Sequence, residues 1–239
     1  MVENKNKKNN QDTYVKASEF WSKYSKRKDL SEYSLMNLNP DAKLANEKFQ
    51  YESNKLRELV EFKQHWNILD LGGGIGHWSL FFSKLCLNVT LVERENEFVE
   101  IAKNDLLKGT DIKIIKDDCI NFKAPANLYD VVFMSGVTIY LDDTALVKCM
   151  KNIKQYLKVG GFFIHRDAYG LDEQFNISNK YSEGLQEFYS AKYRTRSEYD
   201  EIFVDKFNMK KLIDIDMYDS SSKKRRWKET DLRIAVYGI

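Results

Sequence analysis

The chain has 239 residues, of which 43% are hydrophobic and 31% are charged, a composition typical of a globular protein. Its 38 Lys and Arg residues are nearly balanced by 36 Asp and Glu residues, so it lacks the basic excess of a protein that wraps nucleic acid. Its 2 prolines and 11 glycines exclude proline-rich and collagen-like chains.

The sequence shows no feature of export, membrane insertion or metal binding. The lysines near the N-terminus are not followed by the apolar segment of a signal peptide, and no apolar run is long enough to cross a membrane. The three cysteines are about 30 residues apart, without a CxxC motif or a nearby histidine pair. We therefore expect a cytoplasmic protein with no metal and no membrane partner.

The first 64 residues differ from the rest of the chain. Residues 1–12 are polar, and we expect them to be disordered. Residues 13–64 predict an N-terminal helical cap, because aromatic residues recur at helical spacing from Tyr14 and a second helical pattern covers residues 41–63. Residues 65–239 are then expected to form the main domain.

Short apolar segments alternate with helical patterns in the main domain. The predicted strands are Asn67–Leu71, Val89–Val92, Ile112–Ile115, Asp130–Met134 and Gly161–His165. The predicted helices between them are His77–Leu85, Asn96–Leu107 and Asp143–Leu157. This alternation is typical of a parallel sheet covered on both faces, and right-handed crossovers make it a Rossmann-like, doubly wound α/β fold.

The pattern changes after the fifth predicted strand. Residues 169–194 are polar and rich in Tyr, and they are too many for a turn, so we expect an insert that acts as a lid over the site. Thr195 and Glu198 have the spacing of a capping box that begins a helix. The last two strands, Lys211–Met217 and Leu232–Tyr237, have no helix between them, which predicts an antiparallel C-terminal hairpin.

The most specific motif lies at the end of the first predicted strand. It consists of Asp70, Gly72, Gly73, Gly74 and Gly76. Glycines let a ligand lie against the backbone, and the start of the next helix offers amide N–H donors. The dinucleotide fingerprint fails in both registers, because His77 and Ser79 occupy its sixth position, and no P-loop lysine follows. An acid at this strand end favours a ligand with an ammonium group over a pyrophosphate.

This segment resembles motif I of class I S-adenosylmethionine (SAM) methyltransferases. Their E/D-x-G-x-G-x-G pattern is matched at Asp70, Gly72, Gly74 and Gly76. The resemblance covers about residues 55–168 and the final hairpin, since that family also ends its parallel sheet in an antiparallel pair. It implies SAM as cofactor, with the glycine loop around the methionine part and Asp70 near its amino group.

Acids after the second and third strands fit the same cofactor. Glu93 ends the second strand about 20 residues beyond the glycine loop, where a carboxylate can accept hydrogen bonds from both ribose hydroxyls. Asp118 and Cys119 resemble the acid and small residue that flank adenine in the family, and Asp117 is the competing acid.

Other residues complete the predicted cofactor site. Ser135 and Gly136 follow the fourth strand and are expected to lie against the cofactor, while Trp21 either closes over it or anchors its own helix. The chain lacks the Asn/Asp-Pro-Pro-aromatic and Pro-Cys motifs of DNA base methyltransferases. A nucleic-acid partner is therefore not expected.

The acceptor side is less well defined. An alcohol acceptor needs a general base, for which His165 and Asp142 are candidates, although His165 could equally be structural. A phosphate or phosphoramidate oxygen would need no base. Basic and aromatic residues around the predicted lid are candidates for substrate binding, with arginine suited to a carboxylate or phosphate: Tyr140, Arg166, Tyr169, Tyr189, Tyr193 and Arg194.

The sequence thus predicts a SAM-dependent methyltransferase that modifies an oxygen of a small, polar, anionic metabolite. Residues 193–199 are similar to a segment of methyltransferases that tailor sugars and surface-polysaccharide precursors, which implies polysaccharide biosynthesis. One alternative is an RNA or protein methyltransferase that uses the basic residues 223–226. The other is a catalytically silent SAM-binding partner subunit. The sequence leaves the oligomeric state open.

Overall fold

The computed structural model describes residues 13–29, 31, 38, 41–183, 185–219 and 227–239. The predicted disordered tail and the basic residues 223–226 lie outside the described residues. The N-terminal part contains helix α1 (Thr13–Tyr24) and helix α2 (Ala42–Leu59). Asp41 caps α2, because its Oδ1 accepts a hydrogen bond from the backbone N–H of Leu44 at 3.0 Å.

Strands and helices alternate in the main domain up to the fifth strand, except that the fourth strand follows the third without a helix between them. The strands are β1 (Asn67–Leu71), β2 (Asn88–Glu93), β3 (Lys113–Lys116), β4 (Tyr129–Ser135), β5 (Leu157–Gly170), β6 (Phe175–Ser182), β7 (Glu187–Tyr193), β8 (Lys210–Asp216) and β9 (Thr230–Gly238). The helices are α3 (His77–Ser83), α4 (Asn96–Ile101), α5 (Asp143–Tyr156) and α6 (Arg196–Asp200). Wider helical turns of the π type extend α4 over Ala102–Leu106 and α6 over Glu201–Lys206.

The described part of the chain forms one sheet of seven strands in the order β3-β2-β1-β4-β5-β9-β8. Strands β1 to β5 are parallel, and β9 runs antiparallel to both β5 and β8. This confirms the predicted doubly wound α/β sheet and its antiparallel C-terminal hairpin.

Apolar residues cover both faces of the sheet, as the nearly continuous apolar strands predict. In β1, Leu69 and Leu71 belong to the cluster beneath α5 and α6, whereas Ile68 belongs to the opposite cluster with α2 and α3. Helix α1 is part of a third cluster, in which Phe20 packs with Tyr189 of β7. The two N-terminal helices are therefore anchored to different parts of the fold.

The region after the fifth strand differs from the predicted lid in its details. Strand β5 continues to Gly170, because β9 pairs with it from Phe162 to Gly170. The rest of the insert is an antiparallel pair, β6 and β7, whose alternating residues Tyr189, Ala191 and Tyr193 are buried against α1. Thr195 and Glu198 form the predicted capping box at the start of α6.

Cys86, Cys119 and Cys149 are buried free thiols. No three His, Cys, Asp or Glu side chains of the described residues are grouped so that they could ligate a metal. Within the same residues, no helix combines the length and the apolarity that crossing a bilayer requires.

Candidate active site

A cavity of about 300 Å³ lies at the carboxyl ends of strands β1 to β5. This edge is where ligands bind in open α/β sheets, and the volume is at the lower end of small-molecule sites. All predicted cofactor residues except Gly76 line it: Trp21, Asp70, Gly72, Gly73, Gly74, Glu93, Asp118, Cys119, Ser135 and Gly136. Gly76 instead caps the N-terminus of α3.

Asp70 is a buried carboxylate at the base of this cavity. It is 1% exposed, and its Oδ2 accepts a hydrogen bond from the Ser79 hydroxyl at 2.7 Å. Burial raises the pKa of Asp70 to about 7. A Cβ at Gly73 would lie 2.5 Å from Asp70 Oδ2, so the glycine backbone lies directly against the carboxylate. The nearby Glu93 carboxylate also raises the pKa of Asp70, so a buried acid in this environment is suited to an ammonium group.

Glu93 connects the end of β2 to the glycine loop. Its Oε2 accepts a hydrogen bond from the Gly74 amide at 2.9 Å, and its Oε1 accepts from the amides of Arg94 and Glu95, both at 2.8 Å. Burial raises the pKa of Glu93. Two backbone donors already fill Oε1, so Oε2 is the oxygen with capacity for a ribose hydroxyl. This differs from the prediction that both carboxylate oxygens accept from the ribose.

Asp118 receives a partner that the sequence did not indicate. The Tyr14 hydroxyl of α1 donates to Asp118 Oδ2 at 2.6 Å, and the Ile120 amide donates to Oδ1 at 2.8 Å. Burial, followed by the contact with Asp118, raises the pKa of Tyr14. Asp117 also lines the cavity, so both competing acids lie at this end. Helix α1 therefore closes the predicted adenine end of the cavity.

Arg166 lies between the cofactor side and the acceptor side. Its Nη1 donates to Ser135 Oγ at 2.7 Å, its Nη2 pairs with Glu52 of α2, and its guanidinium carbon lies 5.7 Å from the centre of the Trp78 ring. Glu52 also accepts a hydrogen bond from the Tyr218 hydroxyl. Sequence reasoning missed Glu52, Trp78 and Tyr218, because their contacts with β5 are long-range.

Three of the predicted tyrosines line the acceptor side and are linked by their hydroxyl groups. The hydroxyl oxygens of Tyr140 and Tyr189 are 3.2 Å apart, those of Tyr189 and Tyr193 are 3.1 Å apart, and Trp227 Nε1 donates to Tyr193 at 3.1 Å. The ring of Trp21 packs edge-on against Tyr140 with centroids 5.4 Å apart. The wall opposite the sheet is therefore largely aromatic.

The structure places His165 and Tyr169 outside the cavity lining, which corrects their predicted roles. His165 is fully buried, with Nδ1 at 2.7 Å from the Tyr169 hydroxyl and Nε2 at 2.8 Å from Thr138 Oγ1. Both side chains point into the core beneath α6, where they pack against the Tyr199 ring. A general base needs access to the acceptor, and His165 has none in this arrangement.

Asp142 also lies outside the lining. Its Oδ1 accepts a hydrogen bond from the Ala145 amide at 2.9 Å, so it is the N-cap of α5 rather than a base facing the acceptor. Asp167, which is 1% exposed, is an acid of β5 that does line the acceptor side. Asp167 could have been found from the sequence, because it is the first acid after the fifth predicted strand.

Arg194 is a structural residue and not part of an anion clamp. It is 1% exposed and does not line the cavity. Its guanidinium donates to the carbonyl oxygens of Thr138 at 3.1 Å and Leu141 at 2.8 Å, and to Asp143 Oδ1 at 2.7 Å. These bonds hold the turn between β4 and α5 against β7.

We expect Arg194→Ala to lower the free energy of unfolding by about 3 kcal/mol, because truncation leaves two buried carbonyl oxygens without their donor. Urea unfolding followed by circular dichroism measures this loss. Arg196→Ala is the matched control, since Arg196 is about half exposed and bonds to Asp214 at the surface. Equal stability of the two variants would contradict the structural role of Arg194.

The class of fold follows from the sheet, the site and one family match. Residues 68–161, from β1 into β5, match the family described as "Methyltransferase domain". This segment contains the glycine loop, Glu93 and Asp118. The order of the strands and the antiparallel β9 agree with this match and indicate the class I methyltransferase fold.

Two solved structures show the same fold. Phosphoethanolamine N-methyltransferase 1 of Haemonchus contortus, in complex with phosphoethanolamine and S-adenosylhomocysteine (SAH), has a TM-score of 0.73 at 14% identity, over 96% of this chain and 50% of that one. A SAM-dependent methyltransferase of Leishmania major has a TM-score of 0.69 at 18% identity, over 94% of this chain and 82% of that one.

Curated relatives match shorter stretches. An rRNA adenine N-6-methyltransferase of Limosilactobacillus reuteri is 31% identical over 78 residues, which are 33% of this chain and 32% of that protein. A phosphoethanolamine N-methyltransferase of Triticum aestivum is 26% identical over 156 residues, which are 62% of this chain and 29% of that protein. The chain thus spans about a third of the length of these relatives.

Proposed function

We propose that the protein transfers the methyl group of SAM to a small polar acceptor that binds beside the cofactor. The observation that carries this proposal is a single cavity with two unlike halves. One half has the glycine loop, Asp70, Glu93 and Asp118, and the other is lined by aromatic residues with Arg166 and Asp167. A site of this kind holds two reactants side by side and orients one toward the other.

The residues of the first half fit SAM. Asp70 is buried beside a glycine backbone that leaves no room for a Cβ, and it suits the amino group of the methionine part. Glu93 Oε2 can accept from a ribose hydroxyl, and Asp118, which lines the same cavity, is the proposed acceptor for the adenine amine. The cofactor, when bound, supplies a methyl group on a positively charged sulfur. The protein's own residues align the acceptor with that group.

The predicted chemistry of the acceptor requires revision. The predicted methylation of an oxygen on an anionic metabolite used Arg166 and Arg194 to hold the anion. For an alcohol acceptor it also used His165 or Asp142 as the base. Arg166 lines the cavity, but its positive charge is neutralised by the ion pair with Glu52. We therefore limit the proposed acceptor to a small polar molecule. Oxygen methylation is one outcome of the experiments below.

An RNA acceptor is the second candidate, because a segment of 78 residues is similar to rRNA adenine N-6-methyltransferases. The predicted RNA contact, residues 223–226, lies outside the described residues. An RNA enzyme would bind RNA with an affinity that falls steeply with salt, and gel shifts across a salt series measure this.

The proposal is tested by incubating the protein with SAM labelled in its methyl group and with three fractions of a cell extract. These fractions contain small molecules, RNA and protein. We expect label in the small-molecule fraction. Label in RNA or protein would contradict the proposed acceptor class. Binding of SAH without transfer to any fraction would favour a silent SAM-binding subunit.

We expect SAH binding to release a proton near pH 6.5. Burial holds the pKa of Asp70 at about 7, so the carboxyl is largely protonated at this pH, and a bound ammonium group favours its ionised form. Calorimetry in buffers of different ionisation enthalpy measures the released proton. The release should be absent near pH 8.5, where Asp70 is already ionised, and reduced in Asp70→Asn. Equal release by the wild type and the variant would contradict this assignment.

A further inference from the structure

We propose that the group methylated in the acceptor is an amine, and that Asp167 and the aromatic wall form the site that binds its positive charge. This inference rests on the proposed function, because it names the chemistry of the acceptor half of the same cavity. It replaces the predicted anionic, oxygen-methylated metabolite with a molecule that carries an amino group.

Asp167 is the first observation. It is 1% exposed, and its carboxylate receives hydrogen bonds from neutral donors. Oδ2 accepts from the Thr138 amide at 2.9 Å and from the Thr138 hydroxyl at 2.8 Å, and Oδ1 accepts from the Ala168 amide at 2.9 Å. Among the described residues, no Lys or Arg nitrogen lies within 4.0 Å of it. Oδ1 has capacity for one more donor, and Asp167 lines the cavity.

Each arginine around Asp167 is already matched by another acid. Arg166, its neighbour in β5, pairs with Glu52. Arg233, opposite Asp167 in the register of β9, pairs with Asp214 and Asp216.

Two further groups approach Asp167 through Thr138. Arg194 contacts the Thr138 carbonyl oxygen, but its charge is matched by Asp143. His165 Nε2 lies 3.7 Å from Asp167 Oδ2 and 2.8 Å from the Thr138 hydroxyl. A buried carboxylate without an arginine or lysine partner is costly, and a cation in the cavity would offset that cost.

The total charge of the acceptor half agrees with this assignment. Helix α2 and strands β5 and β9 contribute three acidic residues and two basic residues to its lining. The acids are Glu52, Asp167 and Asp231, and the bases are Lys48 and Arg166. Three acids against two bases disfavour an anionic acceptor. They favour one that brings a positive charge of its own.

The aromatic wall is the second observation. Trp21, Tyr140, Tyr189, Tyr193 and Trp227 line the same half of the cavity and form a connected set through ring and hydroxyl contacts. Aromatic faces attract ammonium groups, and methylated ammonium groups are bound by cages of such rings. A neutral hydroxyl acceptor lacks this attraction between a cation and the faces of the rings.

The reaction with an amine is balanced without a protein nucleophile. An acceptor that binds as an ammonium ion first loses one proton to water, which leaves the neutral amine. The lone pair of this amine forms the new N–C bond while the C–S bond breaks, and the sulfur keeps the electron pair. The product is an ammonium ion. It is either released in this form or loses one proton to water before a further methyl transfer. Positive charge therefore develops on nitrogen, where the Asp167 carboxylate and the rings stabilise it.

The test uses choline and 3,3-dimethylbutan-1-ol, which have the same shape and differ by the charge of one atom. SAH binding is measured first, and its absence would refute the proposed function rather than this inference. On protein saturated with SAH, we expect choline to bind at least ten times more tightly than the neutral alcohol. Equal binding, or no binding of choline, would overturn the inference.

Variants connect this preference to Asp167. Asp167→Asn should reduce the preference for choline at least fivefold, whereas Asp172→Asn, an exposed acid just beyond β5, should leave it unchanged. If Asp167→Asn does not fold, the comparison of the two ligands on the wild-type protein still tests whether the site prefers a cation. A labelled reaction product that a cation-exchange resin does not retain at neutral pH would also contradict an amine acceptor.

Discussion

Replacing Glu93 by alanine is expected to weaken SAH binding by 10- to 100-fold. Hydrogen bonds to charged groups contribute about 1.5–3 kcal/mol, and each 1.4 kcal/mol is about tenfold in affinity. The substitution removes the acceptor for a ribose hydroxyl. It also releases the Gly74 amide, which donates to Glu93 Oε2 at 2.9 Å and so holds the glycine loop in place. Isothermal titration calorimetry measures the change.

Glu100→Ala is the matched control for this experiment. Glu100 is an exposed acid on α4, and it accepts a hydrogen bond from the Asn104 side-chain amide at 3.1 Å. Its removal changes the net charge by the same amount and should leave SAH affinity within about twofold, since surface charges contribute little. If Glu93→Ala binds SAH as tightly as Glu100→Ala, Glu93 is not the ribose acid.

Replacing Gly72 by alanine is expected to lower both stability and SAH affinity. Gly72 has φ +78°, and a Cβ there would lie 2.8 Å from Val137 Cγ2. The left-handed backbone costs a residue with a side chain about 1–2 kcal/mol, and the clash adds about 1–3 kcal/mol. Because Gly72 and Val137 both line the cavity, relief of the clash must move either the glycine loop or the Val137 side chain and so change the shape of the site.

Gly109→Ala separates the two contributions. Gly109 has nearly the same backbone conformation, φ +79°, but a Cβ there would meet no atom within 4 Å. We expect the control to lose only the backbone part, about 1–2 kcal/mol of unfolding free energy, and to bind SAH normally. Urea unfolding and calorimetry of both variants measure the difference. If both variants lose the same unfolding free energy and bind SAH equally well, the glycine loop has more freedom than its packing against Val137 indicates.

The central sheet and the cofactor half of the cavity could be predicted from the sequence. Strand β1 begins and ends at the predicted residues, and β2 exceeds its predicted range by one residue at each end. The strands could be predicted because a strand that is buried on both faces is a short apolar run in the sequence. The cofactor acids could be predicted because parallel strands bring their carboxyl ends, and with them Asp70 and Glu93, to the same edge of the sheet.

The acceptor half could not be predicted in the same way, because its contacts join distant parts of the chain. Arg194 looks like an anion-binding residue in a basic segment, yet its partner Asp143 is 51 residues away. Arg166 was correctly expected near the cavity, but Glu52, which matches its charge, is 114 residues away on α2. The pairing of β5 with β9 lengthens a strand whose last residues read as a polar loop.

The most direct test of the cofactor assignment compares SAH with NAD as ligands of the purified protein. The glycine loop and its buried acid favour a ligand with an ammonium group over one with a pyrophosphate. We predict that SAH raises the melting temperature by several degrees at saturating concentration, because a ligand that binds only the folded state stabilises it. NAD should leave it unchanged. Stabilisation by NAD without any by SAH would contradict the account.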